Sequence, residues 1–132
     1  MAWVLTFRTQ RFDIGAEQPN PINPIAGQAV LAWLRPAIQE ADYRCSEPAP
    51  EDWGWYVGVE GSAGSYLVGA SGEPGEPGVD VEWVVQVHRT RSLGDKLRGR
   101  NRLATDDPLC AVIERQARSD PSLDVLAVGL DD

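Results

Sequence analysis

This chain offers little material for nucleophilic catalysis. Its 132 residues include one histidine, His88, and two cysteines, Cys45 and Cys110. A Ser-His-Asp set would have to use His88, and no serine lies in a Gly-x-Ser-x-Gly turn. Either thiol could pair with His88, but the neighbouring residues do not mark it as activated. We therefore predict no catalytic residue and favour a non-catalytic protein over an enzyme.

A metal site has little support from the spacing of possible ligands. Asp80, Glu82 and His88 share the polar face of one predicted strand, and such side chains suit a divalent ion. Asp80 and His88, however, are separated by about 26 Å along an extended strand. The two cysteines lie far apart and form no Cys-x-x-Cys pair, so we expect free thiols in a reducing cytosol. We predict neither a metal nor another cofactor.

The most unusual stretch is Glu-Asp-Trp-Gly-Trp-Tyr at residues 51–56. Aromatic faces supply contact area with little loss of side-chain entropy, and flanking carboxylates can hold a cation. We predict that a binding site here is built by Glu51, Asp52, Trp53 and Tyr56, and reached by Glu82. The alternative interpretation is that Trp53 and Trp55 point the same way along a strand and fill the core.

A basic segment, residues 89–102, is the second candidate site. It carries a charge of +5, which leaves −13 for the remainder of a chain whose net charge is −8. Clustered cations can bind phosphates, and we include in the predicted binding site Arg98, Arg100 and Arg102. No aromatic residue follows His88 to provide a stacking surface, and the acidic remainder repels a polyanion. The alternatives are pairing with the protein's own carboxylates or docking onto an acidic protein.

The elements that must position these residues follow from apolar periodicity. Alternation predicts strands at residues 3–8, 53–60, 65–70 and 79–88, with a hairpin turn between the second and third. Helical spacing predicts a helix that begins at Asn23-Pro24, with a kink or break near Arg35 because Pro36 follows. A second helix is predicted from Asp107-Pro108 to Asp120-Pro121, and then a strand or helical turn at residues 123–130.

This β-α-β-β-β-α-β order predicts one α+β domain over residues 1–132. We expect a mostly antiparallel sheet of about five strands, with two main helices packed on one face. The longest apolar run is far shorter than the roughly 20 residues that span a bilayer, so we expect no membrane association. The first residues lack a basic leader followed by an apolar block, so we expect a cytoplasmic protein.

Three sets of residues carry a resemblance to known sequences: Asn23-Pro24-Ile25-x-Gly27, residues 47–56 and Tyr-Leu-Val-Gly-Ala at residues 66–70. The chain resembles a group of small uncharacterised bacterial proteins that share an Asn-Pro-Ile-x-Gly helix start, a Glu-Asp-Trp-Gly-Trp turn and a short hairpin. The matching part runs from about Asn20 to Ala70 and continues more weakly to the end. The resemblance implies a small, soluble bacterial α+β protein and carries no activity or functional residue.

Three functional hypotheses follow. The leading one is a non-catalytic protein-interaction module with a bipolar charged surface, as an antagonist of a charged partner would need. The second is a small enzyme or metabolite-binding protein with a pocket at the Trp53-Gly54-Trp55-Tyr56 turn. The third is a nucleic-acid accessory protein that uses residues 89–102. The expected partner is therefore a protein or a small molecule rather than nucleic acid.

Overall fold

The computed structural model describes residues 2–62, 64–73, 80–99 and 102–131. This part of the chain contains a single 3-10 turn, Ile14–Ala16, together with seven β-strands and three α-helices. In chain order these are β1 (Ala2–Thr9), α1 (Gln28–Glu40), β2 (Arg44–Cys45), β3 (Ala49–Glu51), β4 (Gly54–Gly61), β5 (Gly64–Gly72), β6 (Val81–Arg89), α2 (Leu93–Arg98), α3 (Pro108–Ser119) and β7 (Asp124–Asp131).

All strands pair antiparallel in one sheet of order β2-β4-β5-β6-β1-β7, and β3 also pairs with β4. The predicted α+β class and antiparallel sheet are confirmed. The predicted count of about five strands is wrong, because β2 and β3 add two short strands beside β4. Only two and three residues long, they are too short for alternation to reveal.

The helices α1 and α3 pack on one face of the sheet, as predicted. Apolar residues at every second position of the long strands form one buried cluster with Val30, Leu34 and Ile38 of α1 and with Leu109 and Ile113 of α3. The helix α2 buries no residue. Among the described helices none therefore packs against the opposite side of the sheet, which we call the open face.

The predicted helix start at Asn23-Pro24 is wrong, because α1 begins at Gln28. The Glu17 carboxylate caps it, accepting hydrogen bonds from the backbone N–H groups of Gly27, Gln28 and Ala29 at 3.1, 3.2 and 2.9 Å. These N–H groups have no partner inside the helix, and a negative charge at this end is favourable. The cap therefore comes from a distant acid rather than from a neighbouring asparagine.

Of the predicted kink or break near Arg35, the break is wrong, because α1 continues through Pro36 to Glu40. Proline costs about 3 kcal/mol relative to alanine inside a helix. Leu34 and Ile38 are both almost fully buried on either side of Pro36. Burial of such side chains contributes roughly 1.5–3 kcal/mol each, so packing outweighs the local cost.

The second half of the chain follows the sequence prediction more closely. The helix α3 begins at Pro108 with Asp107 as its cap, and residues 124–131 form a strand rather than a helical turn. Part of the basic segment forms the short helix α2. Residues 74–79, which include the first residue of the strand predicted at 79–88, and Arg100 lie outside the described residues. No helix in the described part of the chain is long and apolar enough to cross a membrane.

Candidate functional site

Trp53 lies on the open face of the sheet and not in the core. It occupies the two-residue turn between β3 and β4, where Glu51 pairs with Gly54. Gly54 has φ +148°, and a Cβ there would lie 2.4 Å from the carbonyl oxygen of Ala70, so the turn requires glycine. Trp53 lies in the turn and not in the extended strand, so the alternation that would place it beside the buried Trp55 does not apply to it. The interpretation that both tryptophans fill the core is therefore wrong for Trp53.

The indole ring of Trp53 rests on the backbone of β5 at Gly69. A Cβ on Gly69 would lie only 2.3 Å from Cη2 of Trp53. Side chains alternate along a strand, and Val68 and Ala70 point into the core, so position 69 faces the open side. Tyr56 pairs directly with Gly69 and therefore belongs to the same face.

Two asparagines hold the turn that carries Trp53. The Asn20 side-chain amide donates to the carbonyl oxygens of Glu51 at 3.0 Å and of Gly54 at 2.9 Å. The Asn23 amide donates to the carbonyl oxygen of Asp52 at 2.8 Å. Sequence reasoning missed this role and assigned Asn23-Pro24 to a helix start. The asparagines instead position the tryptophan turn from a segment about thirty residues earlier.

The Trp53 cleft is a depression of about 460 Å³ in the open face. It is lined by Ile25, Trp53, Ser71, Gly72, Glu73, Glu82 and Val84. The side chain of Glu82 is 55% exposed and its Oε1 lies 3.4 Å from Nη2 of Arg8. The cleft thus combines an aromatic face, a short apolar wall and two carboxylates.

The structure brings together only part of the predicted site. Trp53 and Glu82 line one cleft, Tyr56 shares their face, and Glu51 and Asp52 flank the tryptophan in the turn. The basic segment lies elsewhere: Glu82 and Arg89 stand near opposite ends of β6, about 23 Å apart along the strand. Arg98 is exposed at the end of α2, Arg102 lines a separate cleft, and Arg100 lies outside the described residues.

This second depression, which we call the basic cleft, has a volume of about 350 Å³. It is lined by Arg89, Arg91, Lys96, Arg102 and Leu103. Nη1 of Arg89 lies 3.8 Å from Oδ2 of Asp107, whose side chain is 2% exposed. The guanidinium carbon of Arg89 also lies 5.5 Å from the centre of the Tyr66 ring.

A buried polar group lies behind the basic cleft. The Tyr66 hydroxyl donates to Oδ2 of Asp107 at 3.1 Å, and Oδ1 of Asp107 accepts from the Leu109 N–H at 2.9 Å. Burial, and then the neighbouring Asp107 charge, raises the pKa of Tyr66 to about 12. The same two causes raise the pKa of Cys110 to about 12. Both side chains are therefore neutral at physiological pH, and the group serves to anchor Arg89 and α3.

The residues that sequence reasoning considered for catalysis do not converge. His88 is exposed, interacts with Oε1 of Gln86 at 3.1 Å, and has a pKa lowered mainly by desolvation. Burial also raises the pKa of the Cys45 thiol, which disfavours the reactive thiolate, and both cysteines are free. No group of three or more His, Cys, Asp or Glu side chains in the described ranges could hold a metal ion.

Comparisons with known proteins find no match to this chain among family models, curated proteins or solved structures. The resemblance to small bacterial proteins thus stays a prediction. The physical chemistry of the two clefts is therefore the guide to what this chain can bind.

Proposed function

We propose that this protein is a non-catalytic binding module that receives a lysine or arginine side chain of a basic partner protein in the Trp53 cleft. The observation that carries the proposal is the position of Trp53, which rests on Gly69 on the open face beside Glu82. The Cη2–Cζ3 edge of its ring lies against Gly69. The side chain is only partly buried, so its remaining surface and the neighbouring carboxylates are available to a ligand.

The chemistry of the cleft favours a cation. A guanidinium or ammonium group over an indole face gains about 0.5–2 kcal/mol, more as water is excluded. Glu73 and Glu82 supply two negative charges in the same wall. The chain outside residues 89–102 carries −13, which attracts a basic partner to the surface outside that segment.

The cleft is also preorganised. The Asn20 and Asn23 amides fix the backbone of the turn, and Gly69 provides the seat for the ring. Ordering a side chain at an interface costs roughly 0.5–1.5 kcal/mol. For Trp53 much of that ordering has already occurred on folding, so more of the contact energy remains for binding.

Nucleic acid is a poorer fit as the physiological partner. A groove for a nucleic-acid strand needs cations spread along a surface and aromatic residues for stacking. In this protein the cations form the wall of a small concave cleft instead of a long surface. One of them, Arg89, pairs with Asp107. The metabolite hypothesis uses the same Trp53 cleft. Comparing the binding of a basic peptide with that of a small cation distinguishes a protein partner from a metabolite.

The test is a titration of the ¹⁵N-labelled protein with an oligolysine peptide, followed through the indole N–H signals of the five tryptophans. We expect the Trp53 signal to shift while those of the buried Trp55 and Trp83 stay in place. An oligoglutamate peptide should produce no shift at Trp53. Methylammonium serves as the small cation. If it binds as tightly as the peptide, the result would support a metabolite site instead.

Variants make the test specific. Trp53→Ala should weaken oligolysine binding about tenfold, since it removes roughly 1.4 kcal/mol of contact, whereas Trp53→Phe should retain most of it. Glu82→Gln should weaken binding, whereas Glu60→Gln is a matched control because both are exposed strand carboxylates paired with an arginine. Equal affinity of the wild type, Trp53→Ala and Glu82→Gln would overturn the proposal.

A further inference from the structure

We propose that the basic cleft is a second, independent binding site, and that it takes the phosphate group of a small phosphorylated molecule. Four cations line a single depression of about 350 Å³ in a protein whose net charge is −8. Like charges repel one another, so their convergence in an acidic protein needs a compensating anion or a structural cause. Only part of that charge is compensated by the protein.

Different elements bring these cations together. Arg89 ends β6, Arg91 follows it, and Lys96 lies on α2. The helix α2 is fixed by a capping box, in which the Ser92 hydroxyl accepts from the Asp95 N–H at 3.0 Å and the Asp95 carboxylate accepts from the Ser92 N–H at 3.2 Å. This reciprocal cap sets the direction in which the helix leaves the strand.

The chain then returns to the same depression. Gly99 ends α2 in the left-handed conformation, with φ +67°. Arg102 joins the lining of the cleft, and the adjacent Leu103, only 7% exposed, anchors the returning segment to the hydrophobic core.

Two of the four cations are held in place by the protein. Arg89 has a side chain only 14% exposed, pairs with Asp107 and lies over the Tyr66 ring. Nη2 of Arg91 donates to the carbonyl oxygen of Asp95 at 3.2 Å. Neither Lys96 nor Arg102, by contrast, forms an ion pair with any carboxylate of the described ranges. The cleft thus has two fixed guanidinium groups and two cations that can close on a ligand.

The charge of the cleft matches a dianion. Among the described residues, four cations line the cleft and the carboxylates of Asp107 and Asp95 lie next to them, so the lining keeps an excess of positive charge. A phosphate monoester carries about −1.5 to −2 at neutral pH and has three acceptor oxygens, whereas a carboxylate has one charge. Guanidinium groups suit such oxygens because they donate two parallel hydrogen bonds.

The size and surroundings of the cleft favour a small ligand over a nucleic-acid strand. A strand would extend beyond the cleft onto a molecule that carries −13 outside residues 89–102. The sequence also has no aromatic residue after His88 on which bases could stack. A free phosphomonoester avoids both penalties, because only its phosphate group needs to enter the cleft.

The experiment is a titration of the ¹⁵N-labelled protein with inorganic phosphate at constant ionic strength, balanced with sodium chloride. We expect saturable shifts of the backbone signals of Arg91, Lys96 and Leu103, and no shift of the Trp53 indole signal. Sulfate, a tetrahedral dianion, should compete, whereas acetate should compete poorly. Phosphoserine should bind and serine should not.

Lys96→Gln and Arg102→Gln should each weaken phosphate binding at least about fivefold, since each removes a charged donor. Both side chains are exposed, so thermal unfolding should show that the variants remain folded. Arg115→Gln is the matched control, because Arg115 is an exposed arginine on α3 outside the basic cleft. Its phosphate affinity should equal that of the wild type.

Three results would overturn the proposal. One is phosphate binding that Lys96→Gln and Arg102→Gln leave unchanged, and another is the absence of saturable phosphate binding. The third is an oligothymidylate that binds through these residues when phosphate and phosphoserine do not, which would replace the proposed site with a nucleic-acid site. The Trp53 site is tested with a different probe and different variants, so either proposal can fail alone.

Discussion

Gly69 decides where the aromatic ring of Trp53 lies. Any side chain at position 69 would occupy the space of the indole, whereas position 58 of the neighbouring strand is open, since a Cβ added there would meet only the Ser46 hydroxyl, at 3.7 Å. Both glycines belong to the open face of the sheet. Alanine substitutions at positions 69 and 58 can therefore be compared. The first tests the contact with Trp53, and the second gives the general effect of adding a methyl group to a strand.

Gly69→Ala should destabilise the protein by about 1–3 kcal/mol, the usual cost of overpacking, and should move the Trp53 ring. Gly58→Ala should be neutral or stabilise by up to about 1 kcal/mol, because alanine loses less backbone entropy on folding. Urea unfolding and the indole N–H spectrum measure both effects. An unchanged Trp53 signal in Gly69→Ala would contradict the proposed seat.

At the scale of elements, α1 illustrates how packing overrides local preference. Its start is capped by Glu17, and its centre contains Pro36, which has no N–H to donate to the carbonyl oxygen of Ala32. Pro36 is exposed, while Leu34 and Ile38 are buried. The helix is therefore held by its buried face while its exposed side retains an unfavourable residue.

Pro36→Ala should consequently stabilise the protein by about 1–3 kcal/mol, because alanine restores the missing hydrogen bond and the helix propensity. Thermal or urea unfolding measures the change. Gln39→Ala, an exposed substitution in the same helix, is the control and should change stability by less than about 0.5 kcal/mol. A Pro36→Ala variant less stable than the wild type would show that the proline is structurally required.

At the scale of the whole molecule, the sheet keeps the two clefts apart. The long strand β6 carries Glu82 near one end and Arg89 at the other, on alternate faces. The acidic, aromatic cleft therefore faces away from the helices, while the basic cleft lies where Arg89 meets Asp107 at the start of α3. The basic segment and the acidic residues near Trp53 thus line two separate clefts.

The buried group at this junction makes the stability of the molecule depend on pH. The pKa values of Tyr66 and Cys110 rise to about 12 in the folded protein, from ordinary values of 10.0 and 9.0. A group with a raised folded-state pKa contributes stability that is complete below its unfolded-state pKa. That stability is lost as the pH rises towards the folded-state value, because the unfolded chain ionises first.

We therefore expect the free energy of unfolding to fall as the pH is raised from about 9 towards 12, by at most about 1.4 kcal/mol per pH unit for each group. Urea unfolding over this range measures it. Cys110→Ala should flatten the first part of the profile and Tyr66→Phe the later part. Profiles of both variants that run parallel to the wild type would exclude these groups as the cause.

Regular periodicity made much of the fold predictable. The alternation of Trp83, Val85 and Val87, and the helical spacing in α1 and α3, each depend on residues adjacent in sequence, so the chain itself reveals them. The helix cap at Asp107 and the contrast between the basic segment and the acidic remainder of the chain are also visible in the sequence itself. The short strands β2 and β3 could not be predicted, since they exist only through pairing with β4.

The candidate sites depended on contacts between distant residues. The sequence alone showed that residues 89–102 were basic and made Trp53 and Glu82 candidate binding residues, with a core position for Trp53 as the alternative. Only the tertiary structure decided that Trp53 rests on Gly69, that Asn20 holds its turn, and that Arg102 returns to the side of Arg89. The physical reason is that these contacts depend on strand register and on hydrogen bonds between residues distant in sequence, which no local pattern encodes.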